Sequence, residues 1–331
     1  MAIKVGIIGW GNVGRGVYEA IKRNPDTELA GIISRNPQRV LGEFTGQMPP
    51  RVFDAINPPS RDLIDGVDVA VLCGGSAKDL PEQGPFYASF FNTVDSFDTH
   101  DDIPAYFEKM NSIALANERV AIISAGWDPG TFSLERVLGD AFLPGSKKET
   151  FWGPGVSQGH SDAIRRKVGG VADAIQYTMP YEAVLDAVRK GKKPELTTAF
   201  RHWRDCYVAL KEGVNPEKVK EAIVTMPKYF AGYNTRVTFE TAAQIAERKK
   251  QMPHGGFVLT SGETGKGNKA LVEYKNDWGS NPEATGSILV ACARANYRLQ
   301  HRCQAGAFTM LDIPPAYFSP HSRETLLKSW M

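Results

Sequence analysis

Short runs of apolar residues alternate with helical patterns from the N-terminus to about residue 125. The runs are rich in Val and Ile, and the segments between them have helical periodicity, which predicts βαβ units and a parallel sheet buried on both faces. Strands are predicted at 3–9, 28–34, 51–54, 67–73, 92–97 and 119–124, with helices at 13–23, 79–91 and 102–117. Six such strands fit a doubly wound, Rossmann-type α/β sheet. The Pro-rich, polar stretch 35–62 is expected to loop out around its short strand.

The pattern changes in the second part of the chain, where the strands are longer and more amphipathic. Strands are predicted at 173–179, 202–210, 229–239, 254–262 and 269–274, and helices at 181–190, 216–225, 239–251 and 282–303. This mixture predicts a second, α+β domain with a mixed or mostly antiparallel sheet. At the last helix, Asn281 is a good N-cap and Pro282 suits the first turn. We therefore expect one domain over 1–126, onto which 282–331 packs back, and another over 127–281.

Charge and composition exclude several classes of protein. The 331 residues carry 39 Lys and Arg against 37 Asp and Glu, and a formal net charge of +2 gives no basis for binding nucleic acid or an acidic membrane surface. No apolar run is long enough to span a bilayer, and the chain begins with a strand pattern rather than a secretory leader, so a cytoplasmic location is expected. The four cysteines form no CxxC pair, which favours free thiols, and the six histidines match no metal-binding motif, so no metal is predicted.

Residues 9–14 read G-x-G-x-x-G, directly after the first predicted strand and at the start of a helix. In that context Gly9 permits the tight turn, Gly11 lets the backbone approach a pyrophosphate, and Gly14 allows close packing of the helix on the strand. The N-terminus of the helix then receives the negative charge. The alternative is a glycine turn without a ligand, but the strand, turn and helix together favour a dinucleotide-binding domain over 1–126.

The second strand ends in Ser34-Arg35-Asn36, where chains that bind NAD usually place an acid. An acid accepts a hydrogen bond from the 2′-hydroxyl of NAD and would repel a 2′-phosphate. Arg35 instead offers a planar fork to phosphate, Ser34 can donate a further hydrogen bond, and Arg39 adds positive charge nearby. The sequence therefore predicts NADP as the cofactor. The alternative is that Arg35 is a solvated loop residue.

Polar residues also follow the later strands, at the edge where a doubly wound sheet binds its ligands. The fourth strand runs into the segment 73–77, the fifth into Asp95, Asp98, Asp101 and Asp102, and the sixth into Trp127 and Asp128. For Asp101 and Asp102 the favoured explanation is an acidic first turn of the next helix. A carboxylate there is a natural acceptor for the ammonium group of an amino acid. Asp128 has a second explanation, because Asp is also a common turn residue before Pro129-Gly130.

The second domain contributes polar residues whose types alone leave their roles open. The segment 151–166, FWGPGVSQGHSDAIRR, concentrates Trp, Gly, Gln, His and Arg. Thr178 could be a strand-face hydroxyl, Arg204 a surface charge, His254 a turn residue and Asn281 only an N-cap. Each of these explanations competes evenly with a role in ligand binding.

The most specific stretches of the chain are GWGNVGRGV, SAGWDPGTFS, FWGPGVSQGHSDAIRR, MPHGG and GAFTMLDI. Through them the chain resembles meso-diaminopimelate dehydrogenase, and the resemblance runs nearly from end to end. It implies an NADP-dependent amino-acid dehydrogenase of bacterial lysine metabolism that forms dimers or larger homo-oligomers. The implied reaction oxidises the D-centre of meso-2,6-diaminopimelate to an imine, which water converts to L-2-amino-6-oxopimelate with release of ammonia and NADPH. The domain over 127–281 would then serve substrate binding and dimerisation.

The resemblance also implies roles for individual residues. Asp98 and Asp128 would meet the amino group of the D-centre, and either is a candidate for accepting the proton that the ammonium loses. The implied substrate-binding residues are Asp98, Trp127, Asp128, Trp152, Gln158, Gly159, Thr178, Arg204, His254 and Asn281, of which the last four would hold the distal L-centre. The expected cofactor-binding residues are Gly9, Gly11, Asn12, Val13, Gly14, Ser34, Arg35, Asn36, Cys73, Gly74, Gly75, Ser76, Ser96, Phe97, Ala125, Gly126 and Pro129.

One position departs from the family pattern, and two other functions compete with this one. Family members often carry a second Arg where this chain has Asn36, so a weaker hold on the 2′-phosphate and a looser preference for NADP over NAD are expected. Another NAD(P)-dependent amino-acid enzyme is the first rival, but the His-rich, Lys-containing signature of dihydrodipicolinate reductase is absent. A non-catalytic NADP-binding sensor is the second, and it would not need Asp98, Asp128, Arg204 and His254 together.

Overall fold

The computed structural model describes residues 2–46, 48–55, 59–192 and 194–331. The chain forms two compact units, one made of Met1–Leu134 with Pro282–Met331 and the other of Glu135–Asn281. Residues 127–134, which the sequence pattern assigns to the second domain, lie in the first unit. They begin with the irregular turn Trp127–Thr131, whose last N–H donates to the carbonyl of Gly126 at 3.0 Å.

A seven-stranded parallel sheet forms the centre of the first unit. Its strands are β1 (Ile3–Ile8), β2 (Thr27–Ser34), β3 (Val52–Asp54), β4 (Val69–Leu72), β5 (Thr93–Asp95), β6 (Val120–Ile122) and β14 (Gly306–Phe308), in the order β14-β6-β5-β4-β1-β2-β3. The helices are α1 (Asn12–Arg23), α2 (Pro37–Gly42), α3 (Arg61–Asp65), α4 (Leu80–Ala88), α5 (Ile103–Ala116), α12 (Asn281–Gln300) and α13 (Arg323–Trp330). Val5, Ile7, Val69 and Val71 are fully buried, as expected for a parallel sheet covered on both faces. The doubly wound sheet is confirmed, with one strand more than the six predicted.

The C-terminal segment is built into the first unit by close packing and by hydrogen bonds. Helices α1 and α12 approach so closely that a Cβ on Gly16 would lie 2.2 Å from the carbonyl oxygen of Pro282. The buried side-chain amide of Asn296 donates to the backbone carbonyls of Thr93 and Val120, at 2.8 and 3.0 Å. One residue of α12 therefore joins β5 to β6, and β14 then pairs with β6 at the edge of the sheet.

The second unit contains two smaller sheets rather than the single sheet expected from its strands. One has the order β11-β10-β9-β8 and the other β13-β12-β7. The strands are β7 (Lys147–Trp152), β8 (Gly155–Val156), β9 (Val171–Pro180), β10 (His202–Leu210), β11 (Thr235–Phe239), β12 (His254–Thr264) and β13 (Asn268–Trp278). The helices are α6 (Phe132–Phe142, which starts in the first unit), α7 (Gln158–Lys167), α8 (Glu182–Arg189), α9 (Thr198–Arg201), α10 (Pro216–Val224) and α11 (Ala242–Arg248). Pairing is antiparallel except between β10 and β11, so the prediction of a mixed, mostly antiparallel architecture is confirmed.

The prediction of a loop over 35–62 is wrong at two places. Helix α2 starts at Pro37 because the side chain of Asn36 accepts the N–H of Arg39 at 3.1 Å, an N-cap that stabilises the first turn. Helix α3 has the same device, with Ser60 accepting the N–H of Leu63 at 3.4 Å. Both helices are too short to show a hydrophobic period, so their caps are the main signal in the sequence.

Candidate active site

The glycine-rich loop joins β1 to α1 and leaves room for a ligand at the start of the helix. Gly9 has a φ of 98°, and a Cβ on Gly14 would lie 2.2 Å from the carbonyl oxygen of Gly9. Gly11 caps α1, and apart from Gly11 and its two neighbours along the chain no described residue has an atom within 4 Å of the place that a Cβ on it would take. A pyrophosphate can therefore come close to the backbone at the positive end of α1.

At the end of β2, the positive charge belongs to Arg35. Its exposed guanidinium lies 3.2 Å from Oδ1 of Asp79, whose Oδ2 accepts the N–H of Gly75 at 2.8 Å. Because the side chain of Asn36 caps α2, this residue serves the start of a helix and brings no charge. Arg35, with Arg39 on α2, is therefore the group that can face a phosphate on the adenosine ribose.

A cavity of about 390 Å³ lies between these elements of the first unit, within the usual size range of ligand sites. Among the predicted cofactor residues it is lined by Gly9, Gly11, Ser34, Arg35, Asn36, Cys73, Gly74 and Gly75. The remaining predicted residues do not line it: Asn12, Val13, Gly14, Ser76, Ser96, Phe97, Ala125, Gly126 and Pro129. Burial raises the pKa of the Cys73 thiol, so this thiol is protonated and poorly suited to act as a nucleophile.

The loops that follow β5 and β6 carry the predicted acidic residues of the first unit. Asp98 is exposed, and its N–H donates to Oγ of Ser76 at 2.8 Å. Asp128 is half-buried with an extended backbone, and it follows the buried Trp127, whose ring packs against Phe132 with centroids 4.5 Å apart. Both carboxylates lie beyond the carboxyl ends of parallel strands, the edge at which such sheets bind ligands.

In the second unit, strand register brings several predicted residues together. Gly155 on β8 pairs with Thr178 on β9, which pairs with Arg204 on β10, and Oγ1 of Thr178 accepts from Nη1 of Arg204 at 2.7 Å. A Cβ on Gly155 would lie 2.6 Å from Cα of His254, so glycine lets the start of β12 pack on this row. Asn281 joins the same region, because its N–H donates at 2.7 Å to the carbonyl two residues before His254.

Arg204 is the most unusual charge in this group. It is 6% exposed, it makes no ion pair with any carboxylate that the structure describes, and its guanidinium lies 4.2 Å from the ring centre of Tyr233. Burial, together with the charge of Arg204, lowers the pKa of His160 to about 4 and that of His202 to about 3. Both histidines are neutral at pH 7, whereas the guanidinium stays charged. A buried cation without a carboxylate partner creates a strong preference for an anion.

The other predicted residues of the second unit lie at the ends of β7 and the start of α7. The N–H of Trp152 donates to Nε2 of His202 at 2.8 Å, and the two rings are 5.3 Å apart. Gln158 and Gly159 lie in the exposed first turn of α7, and no described residue outside that helix has an atom within 4 Å of a Cβ placed on Gly159. Trp152 is thus held against His202 by its backbone and by its ring, and the start of α7 is open to a ligand.

Sequence reasoning missed three residues that shape these sites. Tyr233 precedes β11, and only the pairing of that strand with β10 places its ring over Arg204. Asp79 lies four residues after the glycine turn at the end of β4, where its carboxylate reaches back to Arg35. His202 opens a predicted strand, and its contact with Trp152 depends on packing between two sheets. None of these contacts has a local signal in the sequence.

The described residues contain no group of three or more His, Cys, Asp or Glu side chains arranged to hold a metal ion. Among the same residues, no helix combines the length and the apolar character that crossing a membrane requires. The four cysteines, Cys73, Cys206, Cys292 and Cys303, are free thiols.

A Rossmann-type sheet with a glycine-rich loop is the architecture of an NAD(P)-binding domain, and the second unit buries Arg204 with no carboxylate partner among the described residues. These features fit the class of NAD(P)-dependent oxidoreductases with an anionic substrate. The family model described as the diaminopimelic acid dehydrogenase C-terminal domain matches residues 126–280. A meso-diaminopimelate D-dehydrogenase from Ureibacillus thermosphaericus is 49% identical, over 98% of this chain and 98% of its own. The chain therefore belongs to the meso-diaminopimelate D-dehydrogenase family.

Solved structures agree with this assignment. A diaminopimelate dehydrogenase from Corynebacterium glutamicum in complex with diaminopimelate superposes with a TM-score of 0.89, at 42% identity over 99% of both chains. An engineered D-amino acid dehydrogenase bound to NADP⁺ superposes with a TM-score of 0.84, at 40% identity over 100% of both chains. The fold predicted from the sequence is thus that of relatives covering the whole chain.

Proposed function

We infer that the chain is an NADP-dependent oxidoreductase acting on the CH–NH₂ group of meso-2,6-diaminopimelate. It deaminates the D-centre to L-2-amino-6-oxopimelate, consumes NADP⁺ and water, and releases ammonium, NADPH and a proton. The reaction is reversible and belongs to lysine biosynthesis. Family membership supports this function, as do the relatives whose structures hold diaminopimelate and NADP⁺.

The observation that carries the proposal is the buried Arg204. Its guanidinium has Thr178 and Tyr233 as neighbours but no carboxylate among the described residues, and the nearby histidines are neutral. A substrate carboxylate would complete this site with charge-assisted hydrogen bonds. We assign this carboxylate to the L-centre of diaminopimelate, with His254 and Asn281 as further contacts at that end.

At the D-centre, the chemistry needs an acceptor for the ammonium group and then for one of its protons. Asp98 and Asp128 are the proposed acceptors, because both lie at the ligand-binding edge of the parallel sheet. After that proton is lost, the lone pair of the neutral amine can form the C=N bond of the imine as the hydride leaves the α-carbon for NADP⁺. Water then hydrolyses the imine. Trp127, Trp152, Gln158 and Gly159 are proposed to wall the substrate pocket.

The residues of the first unit fit NADP, which supplies the hydride acceptor when it is bound. We propose that the open backbone at Gly11 and the N-terminus of α1 hold the pyrophosphate, and that Arg35 binds the 2′-phosphate with Ser34. The residues at the ends of β4, β5 and β6 are proposed to contact the rest of the cofactor. The unit Glu135–Asn281 is proposed as the substrate-binding domain.

We also propose that the enzyme is cytoplasmic and forms a homodimer or a larger homo-oligomer. The four free thiols are consistent with a reducing compartment. Size-exclusion chromatography with light scattering measures the oligomer directly, and a mass corresponding to one chain would reject this part of the proposal.

The function is tested by NADPH formation with meso-diaminopimelate, with its LL and DD isomers, and with simple D-amino acids such as D-lysine. Rapid turnover of the meso isomer, with ammonium released in equal amount, is the expected result, because a D-centre must be oxidised while an L-centre is held. Turnover of simple D-amino acids at equal rates would favour a general D-amino-acid dehydrogenase. Binding of NADP without turnover of any of these would favour the sensor.

A further inference from the structure

One carboxylate of the first unit is completely buried and has no place in either proposed binding set. Asp95 is the last residue of β5 and is 0% exposed. Its Oδ1 accepts the N–H of Phe97 at 3.0 Å and the N–H of Ser124 at 3.1 Å, and its Oδ2 accepts the hydroxyl of Tyr106 at 2.8 Å. These donors come from the loop after β5, the loop after β6 and helix α5.

The two loops bound by Asp95 are the loops that carry the proposed D-centre acceptors. Phe97 directly precedes Asp98, and Ser124 lies four residues before Asp128. The backbone carbonyl of Asp95 also accepts the N–H of Ala125 at 2.8 Å, so one residue makes three hydrogen bonds to these loops.

Ser124 shows that the second loop needs such support. Its φ is 53°, a left-handed conformation that is costly for a residue other than glycine. The hydrogen bond from its N–H to Asp95, followed by that of Ala125, holds the chain in this conformation just before Gly126 and Trp127. Without these bonds the loop would relax, and the position of Asp128 would change with it.

The charge of Asp95 fits a role in organising backbone. Burial raises its pKa to about 6, while the bonds from Phe97, Ser124 and Tyr106 oppose that rise. At neutral pH the carboxylate is therefore ionised, and an ionised carboxylate is the stronger acceptor for backbone N–H groups. The ring of Tyr106, whose hydroxyl donates to Asp95, is itself held in place because it stacks on Phe97 with centroids 4.1 Å apart.

We propose that Asp95 is a positioning residue of the reaction, which sets the spacing between the Asp98 loop and the Asp128 loop by binding the backbone of both. This inference rests on the proposed function, because the two loops matter only if Asp98 and Asp128 bind the D-centre of the substrate. Asp95 itself is assigned no contact with the substrate. A displacement of about 1 Å at a reacting group can reduce turnover about 100-fold. The loss is expected in kcat, whereas binding of the adenosine 2′-phosphate end of NADP is expected to be unaffected, because the cavity lined by Gly11 and Arg35 does not include Asp95.

The test compares Asp95→Leu, which branches in the same way but is larger and accepts no hydrogen bond, with the conservative variant Asp95→Asn. An asparagine keeps an oxygen for Phe97 and Ser124, and its amide can donate to Tyr106, whose hydroxyl can turn to the carbonyl of Leu80 at 3.5 Å. We expect kcat for meso-diaminopimelate to fall about 10- to 100-fold in the leucine variant and less than about 5-fold in the asparagine variant. The Kd for adenosine 2′,5′-bisphosphate, a fragment of NADP assigned only to the cavity lined by Gly11 and Arg35, is expected to stay within about 3-fold in both, as measured by calorimetric titration.

Equal kcat in wild type and the leucine variant would overturn the proposal. So would a parallel loss of bisphosphate binding and turnover, which is the result expected of a residue that only stabilises the fold. If the leucine variant does not fold, Asp95→Ala replaces it, and the same split between kcat and Kd is required. Absence of turnover in the wild type would instead overturn the proposed function, so the two failures are distinguishable.

Discussion

Replacing Arg204 by methionine removes the proposed anchor for the distal carboxylate while keeping the length of the side chain. The guanidinium is 6% exposed, so a carboxylate bound there would be almost fully desolvated. Each hydrogen bond to a charged group contributes about 1.5–3 kcal/mol, and truncating one partner of a buried charge pair costs about 2–5 kcal/mol. At about 1.4 kcal/mol per factor of ten, a cost of about 2–5 kcal/mol means that kcat/KM for meso-diaminopimelate should fall about 30- to 4,000-fold.

The stability of Arg204→Met should move in the opposite direction to its activity. In the free protein the guanidinium of Arg204 is buried without a carboxylate among the described residues, and burial lowers its pKa. The charged form of Arg204 is therefore less stable in the folded protein than in the unfolded chain. Replacement of a buried charge by an apolar side chain of similar length is often neutral or stabilising. The free energy of unfolding, measured in urea, should therefore be unchanged or higher.

D-Lysine supplies the matching deletion on the substrate, because it is meso-diaminopimelate without the carboxylate of the L-centre. Wild type should prefer meso-diaminopimelate strongly, whereas Arg204→Met should turn over D-lysine at the wild-type rate and lose the preference. Arg236→Met, on the neighbouring strand, is the control, since Arg236 is exposed and paired with Asp205. Equal loss of both substrates in Arg204→Met, or a preserved preference, would refute the assignment.

Three further predictions concern other residues. Asp98→Asn should lower kcat about 100-fold or more if Asp98 accepts the ammonium proton, while Asp101→Asn should leave it unchanged; full turnover in Asp98→Asn would leave Asp128 as the candidate. Arg35→Ala should raise the KM for NADP about 10-fold or more without changing that for NAD, and a parallel change in both would remove Arg35 from the 2′-phosphate. The pKa of His202 is about 3 in the folded protein and near 6.5 in the unfolded chain, so its contribution to stability is present above pH 6.5 and is lost as the pH falls towards 3. In unfolding experiments, His202→Gln should therefore lose less stability than wild type over this pH range. The same pH profile in both proteins would contradict the neutral, buried ring.

The parallel sheet could be predicted because its signals are local. β1, β2 and β4 are rich in Val, Ile, Leu and Ala, and the glycine pattern after β1 requires its particular turn. β14 was missed because it has three residues, and its place in the sheet depends on the packing of α12 against α1. A short strand whose pairing partner lies far away along the chain leaves no periodic pattern to detect.

The candidate site shows the same division between local and long-range information. Arg35 could be singled out because the residue type at the end of β2 carries a chemical meaning by itself. Asp79 beside it, and Tyr233 beside Arg204, could not be found because their neighbours are chosen by tertiary packing. Asp95 resembles the other acids after β5 in the sequence, and only its burial separates it from Asp98.

Hydride transfer from the D-centre is the central step of the proposed reaction, and isotopic labelling measures it directly. Meso-diaminopimelate carrying deuterium on the α-carbon of the D-centre would be incubated with the enzyme and NADP⁺, and the reduced cofactor analysed by mass spectrometry. The expected result is one deuterium in NADPH from this substrate and none from the isomer labelled at the L-centre. Unlabelled NADPH from the first substrate, or label from the second, would contradict the proposed reaction.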